Sequence, residues 1–165
     1  MSDPRPSVAI LMGSSSDAPV LEPCLEALRQ FGIAYQVRVL SAHRTPDETR
    51  EFVREAESQG IQVLIAAAGM AAHLAGACAA NTTLPVIGVP IASGPLDGQD
   101  ALLSTVMMPP GMPVATVAIN GAANAAHLAV QILALSRPEL KQRIKAARDA
   151  MRRKVLDQDA ELRAK

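Results

Sequence analysis

Tryptophan is absent from this 165-residue chain, and other aromatic side chains are few: Phe31, Phe52 and Tyr35. A flavin pocket built on aromatic stacking has little to draw on here. An excess of charge of either sign is also lacking, with 16 basic and 16 acidic residues and a formal net charge of zero. That balance argues against a nucleic-acid or membrane surface. A small anionic ligand needs only local positive charge. The two cysteines, Cys24 and Cys78, lie in apolar helical contexts without CxxC spacing and read as buried, reduced thiols. The apolar run at 61–68 is too short to span a bilayer. The opening MSDPRPS lacks a basic region followed by an apolar core, so no signal peptide is visible. The expectation is a soluble, cytoplasmic protein.

What the chain does have is small apolar residues. Apolar residues make up 49% and charged residues 19%, which marks a globular chain. Its length suits a single domain, residues 1–165, with a core over 7–135 and a C-terminal helix and tail over 136–165. Ala-rich helices allow close approach, and part of their surface is expected to be buried against further copies of the chain.

Strand and helix patterns alternate throughout. SVAILMG (7–13), AYQVRVL (34–40), QVLIAAAG (62–69), LPVIGVP (84–90) and PVATVAI (113–119) read as strands. Helical spacing occupies 18–32, with Gly32 as its stop, and 45–60, where Thr45, Pro46 and Glu48 form a capping-box pattern. Further helices are expected at 71–80, which is short, and at 98–106 and 121–135. A second S-x-x-E box, Ser136 to Glu139, precedes a charged helix over about 138–156 and a polar tail. Strands that are apolar on both faces, alternating with helices, define an α/β fold. The expected form is a three-layer, flavodoxin-like parallel sheet of order 2-1-3-4-5, with helices on both faces and a C-terminal helix.

In such a sheet every strand-to-helix loop lies on one edge, and ligands bind where strand order reverses. That rule brings together GSSSD (13–17), SAHR (41–44) and AGMAAH (68–73). GSSSD offers hydroxyls, a carboxylate and a helix N-terminus suited to phosphate; alternatively Ser16 or Asp17 simply caps the helix. No Walker lysine follows, and the spacing is not GxGxxG, which argues against a dinucleotide. In SAHR, Arg44 can clamp an anion with two hydrogen bonds and His43 can both give and take a proton. Gly69 and its small neighbours let a flat ligand approach the main chain. His73 reads either as helix packing or as a contact behind the ligand, and His127 reads as structural. There is no Cys/His or acidic cluster for a metal and no Ser–His–Asp elbow. The residues alone thus point to a metal-free enzyme for a small phosphorylated, hydroxyl-bearing molecule, with one proton-transfer residue.

MGSSSD, SAHRTPDE, AGMAAHLAG, LPVIGVP and MMPPGMPVATVAI…GAANAA together resemble the N5-carboxyaminoimidazole ribonucleotide mutases, the class I PurE family of purine biosynthesis, over about residues 7–135. The resemblance implies an isomerase that moves a carboxylate from the exocyclic nitrogen of the substrate to carbon 4 of its imidazole ring, without cofactor or metal. It implies His43 as the catalytic acid and base. It implies phosphate contacts from Ser14, Ser41 and Arg44, and a ribose contact from Asp17. Ser16 and the backbone of Ala68 and Gly69 would face the base and the migrating carboxylate. Ala42, His73 and Leu74 complete the implied substrate-binding set. The family forms homo-octamers with sites at subunit boundaries. Met70 and Ala75 stand where the common family motif GGAAHLPG has Gly and Pro.

Two rival readings differ from this one. A related carboxylase uses aminoimidazole ribonucleotide and carbon dioxide directly; that branch typically carries Lys after the His, where this chain has Arg44. A non-catalytic flavodoxin-like module for a nucleotide would have no need of His43.

Overall fold

A computed structural model of the chain describes residues 5–164. The opening residues 1–4, within the stretch where no signal peptide is expected, lie outside it. The described chain divides into two compact units, one ending at Val130 and the other beginning at Gln131.

The first unit is a five-stranded, all-parallel sheet of order β2-β1-β3-β4-β5. Its strands are β1 (Val8–Met12), β2 (Tyr35–Val39), β3 (Val63–Gly69), β4 (Val86–Ile91) and β5 (Ala115–Thr116). Between them run α1 (Ala18–Gln30), α2 (Pro46–Glu55), α3 (Leu74–Ala79) and α4 (Gln99–Val106). The chain moves from β1 to β2 in one direction and returns past β1 to β3 in the other. Because such crossovers are right-handed, α1 falls on one face of the sheet and α2, α3 and α4 on the opposite face. Ala9, Leu11, Leu64 and Ala66 pack with Phe52 and Val53 of α2 and with Leu74 and Cys78 of α3 in one core cluster. The alternating residues Val8, Ile10, Val63 and Ile65 point to the other face and are just as buried. α5 (Ala122–Leu133) crosses into the second unit. Its half-buried His127 meets Phe31, at the end of α1, edge to face with ring centroids 5.4 Å apart, which is a structural contact.

Several local expectations change. β2 is an edge strand, and Val37 and Val39 are exposed on it. The Arg within it is explained by Phe52: Arg38 lies 5.0 Å over that ring and covers the end of the core cluster. β5 has two residues where seven were expected. The following chain still bonds to β4, with Val117 N–H donating to the Gly88 carbonyl and Asn120 N–H to that of Pro90. It turns away at Asn120, whose φ is +57°. At Gly32, with φ +65°, α1 ends in a Schellman motif: Gly32 N–H bonds to the Arg29 carbonyl and Ile33 N–H to that of Leu28.

Neither expected capping box forms. The Thr45 hydroxyl is turned back to Ser41, so α2 begins without a side-chain cap. Ser136 donates its hydroxyl hydrogen to the Leu133 carbonyl. In the second unit, α6 (Pro138–Arg163) continues past the expected end near 156. Nothing in DQDAELR breaks a helix, and most of those residues favour one. Among the described residues no helix is long and apolar enough to cross a membrane. Cys24 and Cys78 are free and buried; burial pushes both thiols up to about 12, leaving them unreactive near neutrality.

Candidate active site

The order β2-β1-β3 places the loops after these three strands side by side at the carboxyl edge of the sheet. The first loop folds tightly. Ser14 caps a 3₁₀ turn, Ser15–Asp17. Its hydroxyl accepts from Ser16 N–H at 3.3 Å and from the Ser16 hydroxyl at 2.8 Å. Asp17 reaches back and accepts from Ser14 N–H at 3.1 Å. The capping box here is therefore Ser14 with Asp17. The expected alternative, a cap on α1 from Ser16 or Asp17, is not seen: Asp17 makes no side-chain cap bond to α1. Burial raises the Asp17 carboxyl pKa, although the Ser14 N–H, the Ser16 hydroxyl and the Arg44 charge all favour its ionised form.

The second loop is a closed turn. Ser41 N–H donates to Thr45 Oγ1 at 2.8 Å, and Thr45 N–H donates to the Ser41 carbonyl at 2.9 Å. Ser41 Oγ accepts from Arg44 N–H at 3.2 Å and from Arg44 Nε at 3.4 Å. The Arg44 guanidinium also donates to the Gly13 carbonyl. It thus bridges the first two loops and presents positive charge between them.

The third loop supplies backbone and an imidazole. A Cβ on Gly69 would stand 2.0 Å from the Ser93 hydroxyl oxygen, so a side chain there would displace that hydroxyl. Beside it, Met70 holds φ +53°, a left-handed conformation that costs a non-glycine residue about 1–3 kcal/mol. His73 follows, and its Nδ1 lies 2.8 Å from His43 Nε2. The two rings meet edge to face at 82°. One nitrogen of that contact donates and the other accepts.

These loops enclose a cavity of about 310 Å³. Ser14, Ser16, Asp17, Ser41, Ala42, His43, Arg44, Ala68, Gly69, His73 and Leu74 all line it, so the structure gathers every position singled out in the sequence. Ser93, which also lines it, follows β4 and so lies outside the three loops that the strand order 2-1-3 brings together. A signal is present: Ser93-Gly94 lies one residue past the end of β4, much as Gly13-Ser14 follows β1. Among the described residues, no three His, Cys, Asp or Glu side chains come together as metal ligands would. The cavity therefore combines a guanidinium tied to the hydroxyl-bearing loops, a carboxylate, and an imidazole pair with bare backbone. That arrangement can hold an anion, receive hydroxyls and move a proton.

The family model described as AIR carboxylase matches residues 7–154. The N5-carboxyaminoimidazole ribonucleotide mutase of Pyrococcus abyssi is 54% identical over 148 residues, which is 90% of this chain and 85% of that protein. The mutase of Saccharolobus solfataricus is 54% identical over 151 residues, 92% of this chain and 96% of that one. The crystal structure of Treponema denticola PurE superposes with a TM-score of 0.87 at 33% identity, covering 96% of this chain and 99% of that chain. With the cavity loops inside the matched region, the chain belongs to the AIR carboxylase family.

Proposed function

We propose that the chain is an N5-carboxyaminoimidazole ribonucleotide mutase of purine biosynthesis. It would convert its substrate to 4-carboxyaminoimidazole ribonucleotide, the name carried by its curated relatives supporting this reading. The observation that carries it is the placement of His43, hydrogen-bonded to His73, in the same cavity as Arg44. Ser14, Ser41 and Arg44 take the phosphate, and Asp17 takes the ribose hydroxyls. Ser16 and the backbone of Ala68 and Gly69 face the imidazole and its carboxylate. Ala42, His73 and Leu74 wall the pocket.

The N–C bond to the carboxylate breaks, its electron pair stays on nitrogen, and His43 supplies a proton there. Carbon dioxide remains beside the ring. Carbon 4 attacks it, and His43 removes the proton from that carbon. The nitrogen keeps the proton it received, and the proton from carbon 4 restores His43, so the reaction is a net isomerisation. An imidazole suits both roles because it exchanges protons near neutral pH. The family description names a second reading, a carboxylase acting on aminoimidazole ribonucleotide. Arg44 favours the mutase, since a planar two-pronged donor and the Lys of the carboxylase branch hold an anion differently. Both substrates should be run in degassed buffer and then in graded bicarbonate. Conversion of the carboxylated substrate without bicarbonate is expected. Efficient use of aminoimidazole ribonucleotide at low bicarbonate instead places the chain with the carboxylases.

Asp17 gives a two-sided prediction. A carboxyl pKa raised by folding favours the fold while the group is protonated, and that contribution is lost as pH rises above the ordinary carboxylate range. Asp17→Asn should therefore melt no lower than the parent at neutral pH, and its relative advantage should shrink toward pH values where the carboxyl is protonated. Binding of the ribotide should still weaken about tenfold, because an amide replaces a charged acceptor. A ribose-free phosphate should bind nearly as before. Equal losses for both ligands would assign Asp17 to the Ser14 turn alone.

The proposal extends to a cytoplasmic homo-octamer with active sites at subunit boundaries. It is supported by Leu103, Val106, Met107 and Met112, which are 42–77% exposed in the single chain on α4 and the loop after it. Light scattering is expected to report an assembly at micromolar concentration; a monomer would contradict this part of the proposal.

A further inference from the structure

Among the described residues, three that are not glycine have positive φ: Met70, Asp97 and Asn120. Asp and Asn ease that conformation with local hydrogen bonds, and methionine cannot. Of the three, Met70 is the one that lines the cavity of His43 and His73. Glycine would adopt this backbone freely. A reason for methionine must therefore lie in what its side chain does.

The side chain crosses to the loop after β4. A Cβ placed on Gly94 would stand 3.4 Å from Met70 Cγ, 3.8 Å from its sulfur and 3.9 Å from its terminal methyl. The arm thus lies along Gly94, which has no side chain to hold it off. In the opposite sense, the Ser93 hydroxyl fills the space over Gly69. The loops after β3 and β4 interlock through these two contacts. Met70 nevertheless stays 55% exposed while it lines the cavity, so it places an apolar surface between the cavity and solvent. An unbranched thioether is adaptable, packs well and offers water no hydrogen-bond donor.

We propose that Met70 is a positioning residue whose side chain shields the cavity that His43 and His73 line, so that carbon dioxide is retained between the two halves of the transfer. This role rests on the mutase reading. If carbon dioxide escapes after the N–C bond breaks, the nitrogen keeps its electron pair and the new proton. The products are then aminoimidazole ribonucleotide and free carbon dioxide. Retention therefore sets the ratio of 4-carboxylated product to total substrate consumed, a quantity that a merely structural side chain would not move.

The test measures that ratio for the full chain, corrected for loss without enzyme, in Met70→Gly, Met70→Ala and Met70→Leu. Met70→Gly and Met70→Ala should each release several-fold more aminoimidazole ribonucleotide per turnover than the parent, and Met70→Leu should stay close to it. Thermal melting separates backbone from side chain: Met70→Gly should melt above Met70→Ala, because glycine alone removes the strain. Parent-like ratios in Met70→Gly and Met70→Ala would overturn the role. A parent chain that fails to convert the carboxylated substrate would overturn the mutase reading first, before any variant is compared.

Discussion

His43→Asn should lower turnover of N5-carboxyaminoimidazole ribonucleotide by roughly 10²–10⁴-fold, the usual scale for a residue that transfers a proton in the rate-determining chemistry. Asparagine keeps a polar group opposite His73, which His43 approaches to 2.8 Å, but has no nitrogen that takes and returns a proton. His43 is exposed and belongs to no core cluster, so the fold should be unaffected. Product binding, read by calorimetry, should stay within a few-fold of the parent, because the proposed phosphate and ribose contacts lie elsewhere. A loss in kcat with little change in affinity is the signature of a group used only as the reaction proceeds. Near-parent kcat would remove His43 from the chemistry.

Arg44→Ala should act on binding instead. Its guanidinium donates to Gly13 and lies near the Ser41 hydroxyl, so it supplies charge and also ties two loops together. Hydrogen bonds to charged groups contribute about 1.5–3 kcal/mol each, which corresponds to roughly 10–150-fold in affinity for one lost contact. Arg44→Lys should recover only part of this, since it restores a charge but not the two-pronged geometry. Calorimetry with a ribotide phosphate, repeated at higher salt, checks the assignment. Equal affinity for the parent and Arg44→Ala would move the phosphate away from this loop.

Much of the candidate site is legible in the sequence because topology leaves little choice. Strand order fixes which loops meet once the strands are placed, and the strands VAILM, VLIAAAG and VIGVP announce themselves by unbroken apolar runs. The weaker readings were local ones, where several hydroxyls compete for the same backbone groups. Thr45 and Ser136 both fit a capping-box pattern, yet each hydroxyl is engaged by a nearer partner, Ser41 or Leu133. The box that does form, Ser14 with Asp17, lies in a run of three serines where the sequence offers more than one candidate cap. β5 reads as a long apolar strand, but apolarity reports burial rather than pairing, and only Ala115 and Thr116 keep strand geometry. The left-handed backbone at Met70 has no signal of its own in a single sequence. Comparison with the glycine of the family motif marks the position, and the φ value gives that difference a physical meaning.

In a mutase the carboxylate moves within one substrate molecule and is not lost and replaced from solution. The direct measurement uses substrate labelled with carbon-13 at the migrating carboxylate, in unlabelled bicarbonate, with label read in 4-carboxyaminoimidazole ribonucleotide after a single turnover. The mutase account predicts that the label is retained in the product at every bicarbonate concentration. Product carrying unlabelled carboxylate in proportion to added bicarbonate would contradict it.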